Sequence, residues 1–184
     1  MTVAAPAPTR QRLIDATTEL LAEGGYAAAT VAALTSRAGV ASGTLYRHFA
    51  SKEELFVEIF RNLSGRELDA MRDAADGEDA PLDRLEAAID AFARRALAEP
   101  RVAWALLAEP VDALVDAERL EYRRRYRDLV AEVVPQNSLT LAAAIVGGVS
   151  EALVGPLSEP PASAQQRSAL ITEIKAFARR AATP

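Results

Sequence analysis

At 184 residues, half of them hydrophobic but only 5% aromatic, the chain can bury a sizeable core, and its abundant alanine favours helices over strands. It has no cysteine and one histidine, which excludes disulfides, thiolate metal sites, cysteine nucleophiles and a histidine metal cluster. The net charge of −5 speaks against nucleic acid only until it is divided. Residues 1–52 carry five basic and three acidic side chains (+2), and the remainder carries 16 and 23 (−7). Between Gly24 and Lys52 there is no carboxylate at all, so phosphates would meet no repulsion there.

Taken in chain order, residues 1–8, with Pro6 and Pro8, predict a flexible arm. They lack the basic start and long apolar run of a signal peptide, and the longest apolar run, Leu139 to Val149, is too short to cross a bilayer. A cytoplasmic protein without a membrane partner is the expectation. A first helix is predicted from a Thr9 cap to about Glu23, with Leu13, Ala16, Leu20 and Leu21 buried and Gly24-Gly25 as its stop. A second begins after a Thr30 cap and ends at Gly39. A third runs from Ser42 to about His48 with Leu45 and Phe49 inward. The fourth starts at Ser51, where Ser51 and Glu54 read as a capping box, and its stripe extends toward Met71. The hydrophilic patch 73–79 is the expected domain junction. Further helices are expected over about 81–98, 101–108, 110–134, 138–154 and 162–181. Gly155-Pro156 and Glu159-Pro160-Pro161 are read as breakers between the last two. No strand alternation competes, so the fold class is all-α with nine helices. The chain divides into an arm (1–8), a DNA-binding domain (9–52), a linking helix (53–78) and a larger helical domain (79–184).

Two short helices joined across Gly39 form a helix-turn-helix, which places its second helix in the major groove. The run AGVASGTLYRHFASKEELF resembles the DNA-binding domain of the tetracycline-repressor (TetR) family of bacterial transcriptional regulators. The matching pieces are Ala38-Gly39-Val40, Gly43-Thr44-Leu45-Tyr46, His48-Phe49 and Lys52 through Phe56. The resemblance covers about residues 10–65.

The candidate DNA-binding residues are Thr30, Arg37, Ser42, Gly43, Thr44, Tyr46, Arg47, His48 and Lys52. Thr44 and Tyr46 can bond phosphates and fix the reading helix without reading sequence, although Tyr46 could instead be a half-buried core residue. Lys52 resembles the family's phosphate-contacting lysine. His48 is read as a phosphate donor or a plain exposed histidine, and Arg37 as a backbone contact or a solvated side chain. Base reading falls to Ser42, Gly43 and Arg47, with Arg47 on either a guanine edge or a phosphate. Two departures from the family pattern stand out. Thr35 replaces the usual alanine where the two helices cross, and its hydroxyl can bond the preceding turn. Val31-Ala32-Ala33 offers no side chain to a base, which leaves specificity to the third helix and to DNA shape.

The resemblance implies that the larger domain binds a small molecule and pairs with a second chain through its last two helices. Phe92, Trp104, Tyr122 and Tyr126 are candidate ligand-binding aromatics, and Glu118 and Glu151 candidate pocket carboxylates, Glu118 with Arg119 or Arg94 as a possible partner. Ala143, Ile145, Gly147, Gly148, Leu170, Ile174 and Phe177 are candidates for the dimer interface. The expected function is a ligand-responsive regulator, most often a repressor in this family. It would bind a pseudo-palindromic duplex operator as a homodimer and be released by an unidentified effector, with no cofactor or metal. A transcriptional activator, or a helical dimer that binds partner proteins, is the alternative. A hydrolase or transferase has little support, because neither a glycine-rich phosphate loop nor a trusted carboxylate spacing is present.

Overall fold

The computed structural model describes residues 7–160 and 163–183. Residues 1–6 of the expected arm, together with Pro161 and Ala162, lie outside the described residues. Within them the fold is all-α: α1 (Thr9–Ala28), α2 (Val31–Arg37), α3 (Ser42–Leu45), α4 (Lys52–Asp76), α5 (Pro81–Ala98), α6 (Pro100–Leu107), α7 (Ala113–Val133), α8 (Leu139–Ser158) and α9 (Ala164–Ala182).

The helix boundaries follow local chemistry. Thr30 caps α2 by accepting from the Ala33 amide at 3.2 Å, and Ser51 caps α4 by accepting from Glu54. Glu54 reaches back to the Ala50 amide, which gives the expected box one residue out of register. Asp112 caps α7 through the amides of Leu114 and Val115, and α9 opens with a full capping box of Ser163 and Gln166. Gly39 turns at φ +64°, a conformation that costs an L-residue energy, so the stop after α2 requires glycine. Within α1, Gly24 and Gly25 leave helical geometry, and Gly25 takes φ 72°, ψ −166°.

Several boundaries differ from the sequence expectation: Thr9 is the first residue of α1 rather than its cap, with Pro8 at the cap position making no side-chain bond, and α7 begins at Ala113 rather than Pro110. The α-helical part of α3 is four residues long, and the following turn tightens to i→i+3 bonds from the Arg47 and His48 amides before Phe49 bonds back to Leu45. α4 runs unbroken through Asp76, with Met71 and Ala75 buried, so residues 73–79 are the end of a helix and its turn into α5. α8 continues through Gly155-Pro156 to Ser158. Pro156 lies in its last turn, and the amide of Glu159 still bonds the carbonyl of Gly155. At 20 residues α8 is therefore long and apolar enough to cross a membrane, although Ala142, Ile145, Val149, Leu153 and Leu157 are buried in the protein's own core.

α4 is the spine. Leu55, Phe56, Ile59 and Phe60 bury against the N-terminal helices and their surroundings, and its later turns pack on α5 and α7. Twenty-five helical residues at 1.5 Å rise span about 37 Å, long enough to serve both ends of the molecule. A second connection joins those ends, because α1 packs directly on α6. Thr35 is buried, and its hydroxyl donates to the carbonyl of Val31 at 2.8 Å, which satisfies it within its own helix.

Candidate nucleic-acid interface and effector cavity

The helix-turn-helix is assembled by side chains outside it. Leu34 and Leu45, both fully buried, meet Leu13 and Leu55 in one core. The Arg12 guanidinium bonds the carbonyls of Ala38 and Gly39, satisfying acceptors at the end of α2. Arg10 pairs with Glu58 on α4 and lies 4.9 Å from the Phe49 ring centroid. These two arginines thus carry structural duties that composition alone counted as free charge.

Ser42, Gly43, Tyr46, Arg47 and His48 are exposed and adjacent along α3 and its turn, while Thr44 is half-buried. Tyr46 is 57% exposed, which places it on the surface and removes the core alternative. Among the described residues, no side-chain hydrogen bond or ion pair occupies Ser42, Tyr46, Arg47 or His48. A Cβ on Gly43 would meet nothing within 4 Å, so open space lies before this backbone. Lys52 is half-buried, its ammonium 4.5 Å from the Tyr26 ring centroid and 5.4 Å from that of Phe56. Thr30 is exposed, with its oxygen engaged as the α2 cap. Arg37 is neither a free charge nor simply solvated: it pairs with Glu23 at 2.8 Å and Glu19 at 3.2 Å, tying α2 to α1. The hydrogen bond from Arg37 holds the Glu23 carboxyl below its ordinary pKa.

At the other end of α4, a cavity of about 240 Å³ opens among α4, α5, α6 and α7. Phe60, Leu63, Phe92, Val102, Leu106 and Leu107 supply apolar wall. Tyr122 and Tyr126 line it as well, their hydroxyls donating to the carbonyls of Arg61 (3.0 Å) and Ser64 (3.4 Å) on α4. Phe92, Tyr122 and Tyr126 therefore come together as the sequence suggested, with ring centroids 5.7 Å and 6.3 Å apart in succession. Trp104, Glu118 and Glu151 do not join them. Trp104 packs half-buried against the core from α6. Glu118 pairs with Arg61 at 2.8 Å, rather than with Arg119 or Arg94, since the neighbouring turn of α4 lies across from it. Glu151 is exposed and faces a separate, open hollow between α7 and α8 beside Arg123, Arg124 and Arg127.

The cavity also holds groups that single-sequence periodicity could not find. Glu67 bonds Arg95 at 2.8 Å through one oxygen, while its buried Oε1 has no partner. Burial raises its pKa above the ordinary carboxyl value, and Arg95 offsets that only in part. Arg66, Arg119 and Arg123 line the same space.

On α8 and α9, Ile145 and Ile174 are buried in their own chain's core. They belonged to the expected interface, but each helix turns its most apolar stripe inward. Leu170 is half-buried against the same core. Gly148 lies beneath the Phe177 ring, where a Cβ would sit 2.7 Å from Cζ. Ala143, Gly147 and part of Phe177 remain exposed, as do Leu139, Ala144 and Ala152.

Comparison with known proteins agrees with this geometry. Residues 13–59 match the family described as bacterial regulatory proteins, tetR family. That match is confined to the N-terminal helix-turn-helix module and the start of α4. Among curated relatives, the fatty acid metabolism regulator protein of Bacillus subtilis is 35% identical over 66 residues, 36% of this chain and 34% of that protein. The transcriptional repressor KstR2 of Mycobacterium tuberculosis is 39% identical over 77 residues, 42% of this chain and 38% of its own length. The aligned stretch thus spans little more than a third of these relatives' length. Over the whole fold, FadR from Bacillus halodurans superposes with a TM-score of 0.79 at 20% identity, covering 95% of this chain and 96% of that one. FadR from Bacillus subtilis in complex with stearoyl-CoA superposes with a TM-score of 0.78 at 18% identity, covering 93% and 98%.

Proposed function

We propose that the chain is a cytoplasmic, homodimeric transcriptional repressor, not an enzyme, and that a small molecule filling the α4–α7 cavity releases it from a pseudo-palindromic operator. The observation that carries the reading is the exposed set Ser42, Tyr46, Arg47 and His48 on a helix-turn-helix, unpaired among the described residues and within a stretch of sequence free of carboxylates. Arg47 and Ser42 are the candidate base readers, and Thr44, Tyr46, His48 and Lys52 the phosphate contacts. The relatives that match this module include a transcriptional repressor. Residues 9–52 form the reading unit, α4 the link, and residues 79–184 the unit for effector and dimer.

Dimerisation is supported by α8, whose long apolar window has only 22% of its residues buried in its own chain. A second copy across Ala144, Ala152 and the exposed edge of Phe177 would cover that surface and set two reading helices on one DNA face. The effector is an apolar molecule with an acidic group. The aromatic wall suits the body, and the arginines around it suit the acid. The fold neighbour with stearoyl-CoA bound is consistent with such a ligand. Filling the cavity displaces α4 and alters the spacing of the two reading helices, which lowers operator affinity only as far as the ligand prefers the second arrangement.

Selection of bound duplexes from a random library, followed by titration of the winner at two salt concentrations, tests the reading. A pseudo-palindromic winner with steep salt dependence is the expected result. No enrichment over non-specific binding, with and without medium-chain fatty acids present, would refute it.

A further inference from the structure

The cavity and the helix-turn-helix are joined by a second route that bypasses α4. It begins at Arg119 on α7, a cavity-lining residue whose side chain is only 11% exposed. Its guanidinium donates to the carbonyls of Leu106 (2.8 Å), Ala105 (3.2 Å) and Glu109 (2.8 Å). These are acceptors at the C-terminal end of α6, which has few other donors to satisfy them. Asp116, itself half-exposed, is its carboxylate partner at 3.2 Å.

Glu109, held by its carbonyl, in turn holds α1 by its carboxylate. Its Oε2 accepts from the Tyr26 amide at 2.7 Å and its Oε1 from the Ala27 amide at 3.1 Å. The left-handed Gly25 makes room for this, because a Cβ there would lie 2.6 Å from Oε2. The Tyr26 hydroxyl donates to Asp112, the cap of α7, and its ring underlies the Lys52 ammonium. One continuous set of polar contacts thus runs from the cavity wall to a candidate phosphate contact.

We propose that Arg119 is the positioning residue through which the cavity's occupant is read by the DNA module, by way of Glu109 and the amides of Tyr26 and Ala27. An acidic group entering the cavity offers the guanidinium a charged acceptor in place of three neutral carbonyls, and charge-assisted bonds are the stronger. Arg119 then leaves the end of α6, the Glu109 loop loses its tether, and Tyr26 no longer fixes Lys52. An apolar ligand without the acid fills the same space and leaves the tether intact. This deepens the effector reading given above and rests on it for the ligand, but the tether is testable without any ligand or DNA.

The test is amide hydrogen exchange on the full chain. In Arg119→Met, which keeps the apolar stem and removes the donors, the Tyr26 and Ala27 amides are expected to exchange roughly ten-fold faster, with core amides such as Val130 unchanged. Glu109→Gln serves as the direct control. Should Arg119→Met fail to fold, Arg119→Lys, which cannot reach three carbonyls at once, carries the same comparison. Unchanged exchange at Tyr26 and Ala27 in the folded variant would overturn the proposal. In the unmodified protein, decanoate is expected to speed those two amides and decanol to leave them unchanged, with isothermal titration calorimetry establishing that each binds. Decanoate that binds without loosening Tyr26 and Ala27 would also overturn it. If decanoate fails to bind while the Arg119 variant loosens both amides, the tether stands and the acidic-effector reading falls.

Discussion

Replacing Gly25 with alanine perturbs both halves of the contact between α1 and the α6–α7 turn. At φ 72°, ψ −166° the backbone occupies a region essentially restricted to glycine, and holding another residue there costs of order 1–3 kcal/mol. The new Cβ would also meet Glu109 Oε2 at 2.6 Å, so the carboxylate must withdraw from the amides it accepts at 2.7 and 3.1 Å. Losing these charge-assisted bonds costs roughly a further 1.5–3 kcal/mol, less whatever water restores to the partly exposed Ala27 amide. A total of about 3–5 kcal/mol is a large share of the 5–15 kcal/mol typical of a folded domain. For a chain of this length, each kcal/mol lowers the melting temperature by about 2–4 °C, so a fall of roughly 6–20 °C is expected. Differential scanning calorimetry of the variant beside Gly24→Ala and the unmodified chain measures it. A Gly25→Ala protein melting within about 2 °C of the unmodified chain, far less than that backbone strain requires, would refute the reasoning.

In DNA binding, Arg47→Ala is expected to cost about 1–3 kcal/mol and relax preference at one base pair. Lys52→Ala should weaken all duplexes alike and reduce the salt slope by about 1; fluorescence anisotropy at several salt concentrations separates the two. Glu67→Gln is expected to stabilise the protein by roughly 0.5–1 kcal/mol at pH 7.5, because burial raises the Glu67 pKa in the folded state. The sign follows from that direction. The ionised buried carboxyl costs stability above its folded pKa, and the cost vanishes below its unfolded value, so the gain should disappear in urea titrations near pH 4. Ala144→Asp and Ala152→Asp lie on exposed positions and should leave the monomer's melting intact while shifting sedimentation from dimer to monomer. A dimer that persists in both would move the interface away from this face of α8.

The N-terminal module was legible because its signals are local. A cap such as Thr30, a left-handed stop at Gly39 and the Leu45–Phe49 spacing act within a few residues, and the observed caps and turn follow them. The same local reading placed Phe92, Tyr122 and Tyr126 on inner faces, and three-dimensional packing gathers them around one cavity. It failed where a distant partner decides the outcome. Arg12 and Arg37 counted as free positive charge, yet one holds the turn after α2 and the other two carboxylates on α1. Glu118 found Arg61, 57 residues away, and α8 outran its glycine and proline because the core takes up Leu157. Nothing in periodicity marks Glu109 or Arg119, since both are polar residues near helix ends that look solvated until α1 is laid against α6. Helix identity, caps and the reading face were thus determined by the sequence alone, through interactions spanning a turn or two of chain. Which charges are spent, which carboxyl is buried and how the cavity reaches the reading helix were decided by tertiary contacts, because the energy of an ion or a hydrogen bond depends on the partner and the water that folding leaves beside it.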